Sequence, residues 1–109
     1  MEIEVEKILK ALSDKNRLRI LKMLECRNLC VCEITQVLGI RQPSVSRHLK
    51  KLKGTGIIGE RQDGFFTEYY LIRNGLWWDI WNILRRYLEG EKIIEEDEEK
   101  TKVVSRYRR

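Results

Sequence analysis

Two cysteines one residue apart, Cys30 and Cys32, are the side chains of this chain best suited to chemistry. Thiolates are soft donors. They select Cu(I), Cd(II), Pb(II), Hg(II), Zn(II) and trivalent arsenic or antimony over hard cations. A third thiol, Cys26, lies four residues before the pair, where a helix ends and the chain turns. A three-sulfur site from Cys26, Cys30 and Cys32 is sterically allowed, and trivalent arsenic favours trigonal sulfur coordination. The alternative is that Cys26 is a small buried hydrophobe, a common fate of free cysteine. Three cysteines are an odd and sparse count, so a disulfide scaffold is not expected. The charged N-terminus, Met1 to Lys7, lacks the apolar segment of a secretory signal, and a cytoplasmic location is expected.

The elements that must hold these thiols follow from spacing. The chain of 109 residues suffices for one domain with one modest core, and no run of about 18 apolar residues predicts a membrane span. Ile8, Leu9 and Leu12 predict a first helix over about 3–12. Ser13 or Asp14 caps a second, which buries Leu18 and Leu21 and ends near Glu25. A short third helix near 32–38 turns Ile34, Val37 and Leu38 inward and stops at Gly39. Pro43 then opens a fourth helix, with Gln42 expected at its N-cap.

On that fourth helix Val45, Leu49 and Leu52 fall on one face. Ser44, Arg47, His48 and Lys51 fall on the other. A face of hydroxyls, Arg, His and Lys after a short helix and a glycine turn suits a groove-reading helix. Charge agrees. The net charge is +5, residues 91–109 carry six acids and six bases, and Arg41 to Arg61 hold six Lys/Arg against the single acid Glu60. Such a patch favours a polyanion. Gln42, Ser44, Ser46, Arg47 and His48 are the candidates for base edges and nearby phosphates, with Lys50, Lys51 and Arg61 for phosphate.

Asp63-Gly64 between two alternating runs predicts a β-hairpin. A helix-turn-helix followed by a hairpin is a winged helix. The fold class is thus mainly α with a small β-hairpin wing (α+β), a winged helix-turn-helix. Its domain is expected over 1–90, with 91–109 a charged, flexible tail whose basic end adds little. The helix over about 76–89 is apolar around much of its circumference. Its surplus suggests a homodimer through Ile8, Leu12, Trp77, Ile80, Trp81 and Leu84.

Three segments together resemble the ArsR/SmtB family of winged-helix metal-sensing repressors, over about residues 5–90. Leu18-Arg19-Ile20-Leu21 resembles its second helix, Leu29-Cys30-Val31-Cys32-Glu33 its metal box, and Gln42 to Leu49 its recognition helix. The resemblance implies a homodimer that occupies double-stranded operator DNA and leaves when an ion binds. Arsenite or antimonite, As(III)/Sb(III), is the first expectation; Cd(II), Pb(II) and Cu(I) follow. Thr35 stands where the arsenic branch has a third cysteine. The last helix offers Asp79 but no histidine for a zinc site of the family's type.

Two other readings stay open. One makes the thiols redox or persulfide sensors; the other makes the protein a ligand-independent architectural DNA binder whose cysteines only fill space. An enzyme is not expected, because the single histidine, His48, lies on the reading face with no nucleophile–base–acid set at useful spacing.

Overall fold

The computed structural model describes residues 1–106. Four helices come first: α1 (Glu4–Leu12), α2 (Lys15–Cys26), α3 (Val31–Leu38) and α4 (Gln42–Gly54). Strand β1 (Leu29–Cys30) precedes α3, and β2 (Ile58–Asp63) and β3 (Phe66–Leu71) form the wing. Helix α5 (Gly75–Leu84) runs on into a 3-10 turn over Arg85–Tyr87, and α6 (Lys92–Val103) closes the described chain. No helix among the described residues is long and apolar enough to cross a membrane.

The helix ends obey local chemistry. Asp14 Oδ1 accepts from the Arg17 N–H at 3.0 Å, which caps α2. Gly39 stops α3 at φ +70°, a backbone state that costs an L side chain energy. The N-cap of α4 is Arg41 rather than the expected Gln42, and Pro43 sits in the first turn. The hairpin loop is Gly64-Phe65, with Asp63 paired to Phe66.

Sheet order is β1-β3-β2, all antiparallel. Strand β1 escaped sequence reading because two residues carry no period. Its register sets Cys30 opposite Glu68 and Leu29 opposite Tyr69. The core runs from Ile8 and Leu12 through Ile20, Leu21 and Leu24 to Ile34, Leu49, Leu52, Ile57, Trp77 and Trp81.

Two expectations are corrected. Residues 91–109 are not a tail throughout: α6 lies against α2 and α3 and buries Ile94, Asp97 and Thr101. The reason is an ionic seam. Arg19 grips Asp97 through Nε at 2.7 Å and Nη2 at 3.0 Å. Lys22, 1% exposed, lies 2.8 Å from Glu25, 3.1 Å from Glu89 and 3.8 Å from Glu98. Burial alone would lower the Lys22 pKa, but Glu25 and Glu89 outweigh it and raise it. Residues 107–109, part of the expected basic end, lie outside the described residues.

The second correction concerns the supposed dimer face. Ile8, Leu12, Trp77 and Trp81 are buried within this chain. The Trp77 and Trp81 rings lie 5.8 Å apart, and the Trp81 indole N–H donates to Glu25 Oε2 at 2.6 Å. These large rings fill the core that a small domain otherwise lacks. Ile80 and Leu84 are only partly buried.

Asp97→Ala leaves Arg19 without its carboxylate in a buried setting. The expected cost is about 3 kcal/mol, read as a lower urea midpoint. A flexible tail would show no change.

Candidate functional site

The thiol pair is positioned by a junction. Cys30 ends β1 and is also the N-cap of α3, so the sheet and the helix both fix its backbone. Cys32 lies in the first turn. The two Sγ atoms are 2.9 Å apart. Cys30 is buried and Cys32 half-buried. Glu33, three residues after the cap, returns its carboxylate to the Cys30 N–H at 2.9 Å, while its own N–H faces Cys30 Sγ. This is the reciprocal cap that the Cys30/Glu33 spacing allowed.

Burial, the Cys32 thiol and the Glu33 charge push the Cys30 pKa up to about 12, against the favourable helix N–H. Glu33 is itself buried and is balanced by Arg27 Nη1 at 3.0 Å and Arg106 Nη2 at 3.5 Å. Cys32 Sγ donates to the Arg106 carbonyl at 3.4 Å.

The pair opens into a groove of about 320 Å³. Gln42 of α4 and Phe65, Phe66 and Tyr69 of the wing form its walls. The thiols therefore face both parts of the expected reading head.

The structure does not bring Cys26 into this site. Cys26 is exposed, and its Sγ donates to the Lys22 carbonyl at 3.7 Å. Partial burial and the Glu98 charge raise its pKa, which places it at the α6 side of α2. No group of three His, Cys, Asp or Glu residues able to hold a metal occurs among the described residues. The expected three-sulfur set is corrected on this ground: Cys26 is the last residue of α2, and the chain leads away from it through Arg27 into β1.

On α4, Gln42, Ser46, Arg47, Lys50 and Lys51 are exposed, and Ser44 and His48 are half-buried. Arg47 Nη2 donates to Ser44 Oγ at 3.0 Å. Arg17 Nη1 donates to His48 Nδ1 at 3.1 Å, so one ring nitrogen is already engaged. Arg61 is exposed, but Glu68 holds it at 2.7 Å, which offsets its charge. Val45, Leu49 and Leu52 are buried beneath, as the spacing required.

Sequence reading missed Arg27, Glu33, Glu68, Arg106 and the wing aromatics. The Glu33 spacing was a usable signal. Arg106 carried none, since its partners are remote in sequence.

Residues 14–59 match the family described as bacterial regulatory protein, arsR family. An uncharacterized HTH-type transcriptional regulator of Methanocaldococcus jannaschii is 44% identical over 66 residues, 60% of this chain and 74% of that protein. The arsenical resistance operon repressor of Staphylococcus aureus is 41% identical over 61 residues, 56% of this chain and 59% of that protein. The aligned part of this chain thus spans about three-fifths of that repressor. The crystal structure of the transcriptional repressor BigR from Xylella fastidiosa superposes with a TM-score of 0.70 at 29% identity, over 82% of this chain and 87% of that one.

A thiol pKa near 12 rather than 9.0 leaves on the order of a thousandfold less Cys30 thiolate at pH 8. Iodoacetamide is expected to label Cys26 well before Cys30 in the folded, ligand-free protein. Mass spectrometry of digests reads this, and equal rates at pH 8 would contradict it.

Proposed function

The chain belongs to the arsR family of regulatory proteins, and on that premise we propose that it is a DNA-binding repressor released from its operator when a soft metal or metalloid joins Cys30 and Cys32. The family is one of transcription regulators, not enzymes. One observation carries the sensing part: two sulfurs 2.9 Å apart in a groove whose walls come from α4 and the wing.

Reading residues are proposed on the exposed face of α4. Gln42, Ser46 and Arg47 suit base edges, and Lys50 and Lys51 suit phosphates. Ser44 and His48 serve as second contacts. Dimerisation is proposed through α1 and α5, which touch. Val5 and Leu9 of α1 and Ile83 and Tyr87 beyond the α5 core are exposed apolar side chains. Ile80 and Leu84 border them, whereas the buried Trp77 and Trp81 support the face from behind.

For the inducer, trivalent arsenic or antimony comes first and Cd(II), Pb(II) or Cu(I) after. The donor set is two thiols, so a trivalent metalloid would keep one coordination position for a non-protein group. The geometry supports coordination: one ion can take both sulfurs, and it must displace the Cys30 proton, which burial makes costly. Drawing the two sulfurs onto one ion disturbs the first turn of α3. That helix packs on α4, and the reading heads lose their register.

To weaken DNA binding a hundredfold the ion must favour the released state by about 2.7 kcal/mol. Fluorescence anisotropy on upstream DNA tests this. Arsenite, antimonite or Cd(II) is expected to release the wild type, while Cys30→Ser/Cys32→Ser binds DNA normally and stays bound. Release of the double variant would refute the thiol site. Arg47→Ala is expected to lower operator affinity on the order of tenfold, and unchanged affinity and preference would refute the reading helix.

A further inference from the structure

After α6 the chain turns back across the start of α3. Arg27 holds this strap through Nε to the Thr101 carbonyl at 3.1 Å and Nη2 to the Val104 carbonyl at 2.6 Å. Gln36 Nε2 donates to the Ser105 carbonyl at 2.9 Å. The strap delivers Arg106 between the thiols and the wing. Its carbonyl takes the Cys32 Sγ contact at 3.4 Å. Its guanidinium meets Asp63 at the wing tip at 2.9 Å, Glu68 in mid-strand at 3.2 Å and Glu33 at 3.5 Å. It also lies 5.5 Å from the Phe66 ring centroid.

Resting on the thiol-site reading above, we propose that Arg106 is a positioning residue that couples the thiol pair to the wing. One residue touches a candidate sulfur with its main chain and the wing tip with its side chain. The side chain is 14% exposed and has three carboxylates around it, so it is poorly free to move alone. A ligand that takes both sulfurs must turn Cys32 Sγ toward itself and away from the Arg106 carbonyl. The strap then loses its contact at the site, and the hold on Asp63 loosens with it. The wing swings while α4 is disturbed through α3, so both parts of the reading head respond to one event.

The test uses the full chain, upstream DNA and Cd(II) as the probe, with uptake followed by sulfur-to-cadmium absorption. Amide hydrogen exchange over residues 62–66 reports the wing. In the wild type, Cd(II) is expected to speed wing exchange on the order of tenfold and weaken DNA binding on the order of a hundredfold. Arg106→Ala is expected to take up the same amount of Cd(II). Its wing already exchanges fast without the ion, and its DNA response shrinks to less than about tenfold. Arg106→Lys restores part of the response, since an ammonium can keep one carboxylate but not three.

Asp63→Asn cuts only the exposed wing-tip arm and is expected to show the same pattern more weakly. It decides the matter if Arg106→Ala does not fold. Full Cd(II) responses in both variants would overturn the coupling and leave the thiol site standing. So would wild-type wing exchange that Cd(II) does not change. A wild type that takes up no Cd(II) through sulfur would overturn the thiol site and the coupling together.

Discussion

A buried carboxylate at the start of α3 organises this protein. Glu33 is 2% exposed, and a charge so placed requires partners. It finds the Cys30 N–H, Arg27 and Arg106. The first bond closes the helix end and fixes the backbone of the buried thiol. The second ties the turn after α2, and the third draws in the strap that follows α6. Two neighbouring segments and one remote strap thus converge on one side chain. Burial and the nearby carboxylate keep the Cys30 thiol protonated, and the groove of the thiol pair faces the wing.

A second ionic seam does for the scaffold what Glu33 does for the site. Arg19, Lys22 and Glu25 of α2 hold α5, its following turn and α6. Breaking such pairs costs far more than forming them gains, because one partner stays behind as an unpaired charge. Their effect here is placement. They set α6 at the angle that carries residues 104–106 to α3. The Trp77 and Trp81 rings supply the apolar mass beside the seam.

Much of this was legible in the chain. Apolar spacing marks α1 to α4, Gly39 and Pro43 mark the turn between the last two, and Asp63-Gly64 marks the wing within one residue. The adjacent thiols and the exposed Ser/Arg/Lys face were visible for the same reason, since both are local. What stayed hidden was non-local. In α6, Ile94, Asp97 and Thr101 share one face, but the acidic run around them reads as solvated tail until Arg19 and Lys22 are seen opposite. The tryptophans looked surplus because the amount of core on the other side of α5 has no local signature. Cys26 looked like a third ligand because four residues is a short distance in sequence. In space, β1 leads the chain away.

The Cys32–Arg106 contact spans 74 residues of chain. Contacts between near neighbours form before those that close long loops. Helices α2 to α4 and the hairpin can therefore assemble while the strap is still elsewhere. During synthesis, the thiols emerge and meet the cell's metals and oxidants before their cover arrives. The order in which the ribosome delivers the chain thus gives the nascent sulfurs an interval of wider exposure, before the strap narrows their access to the groove.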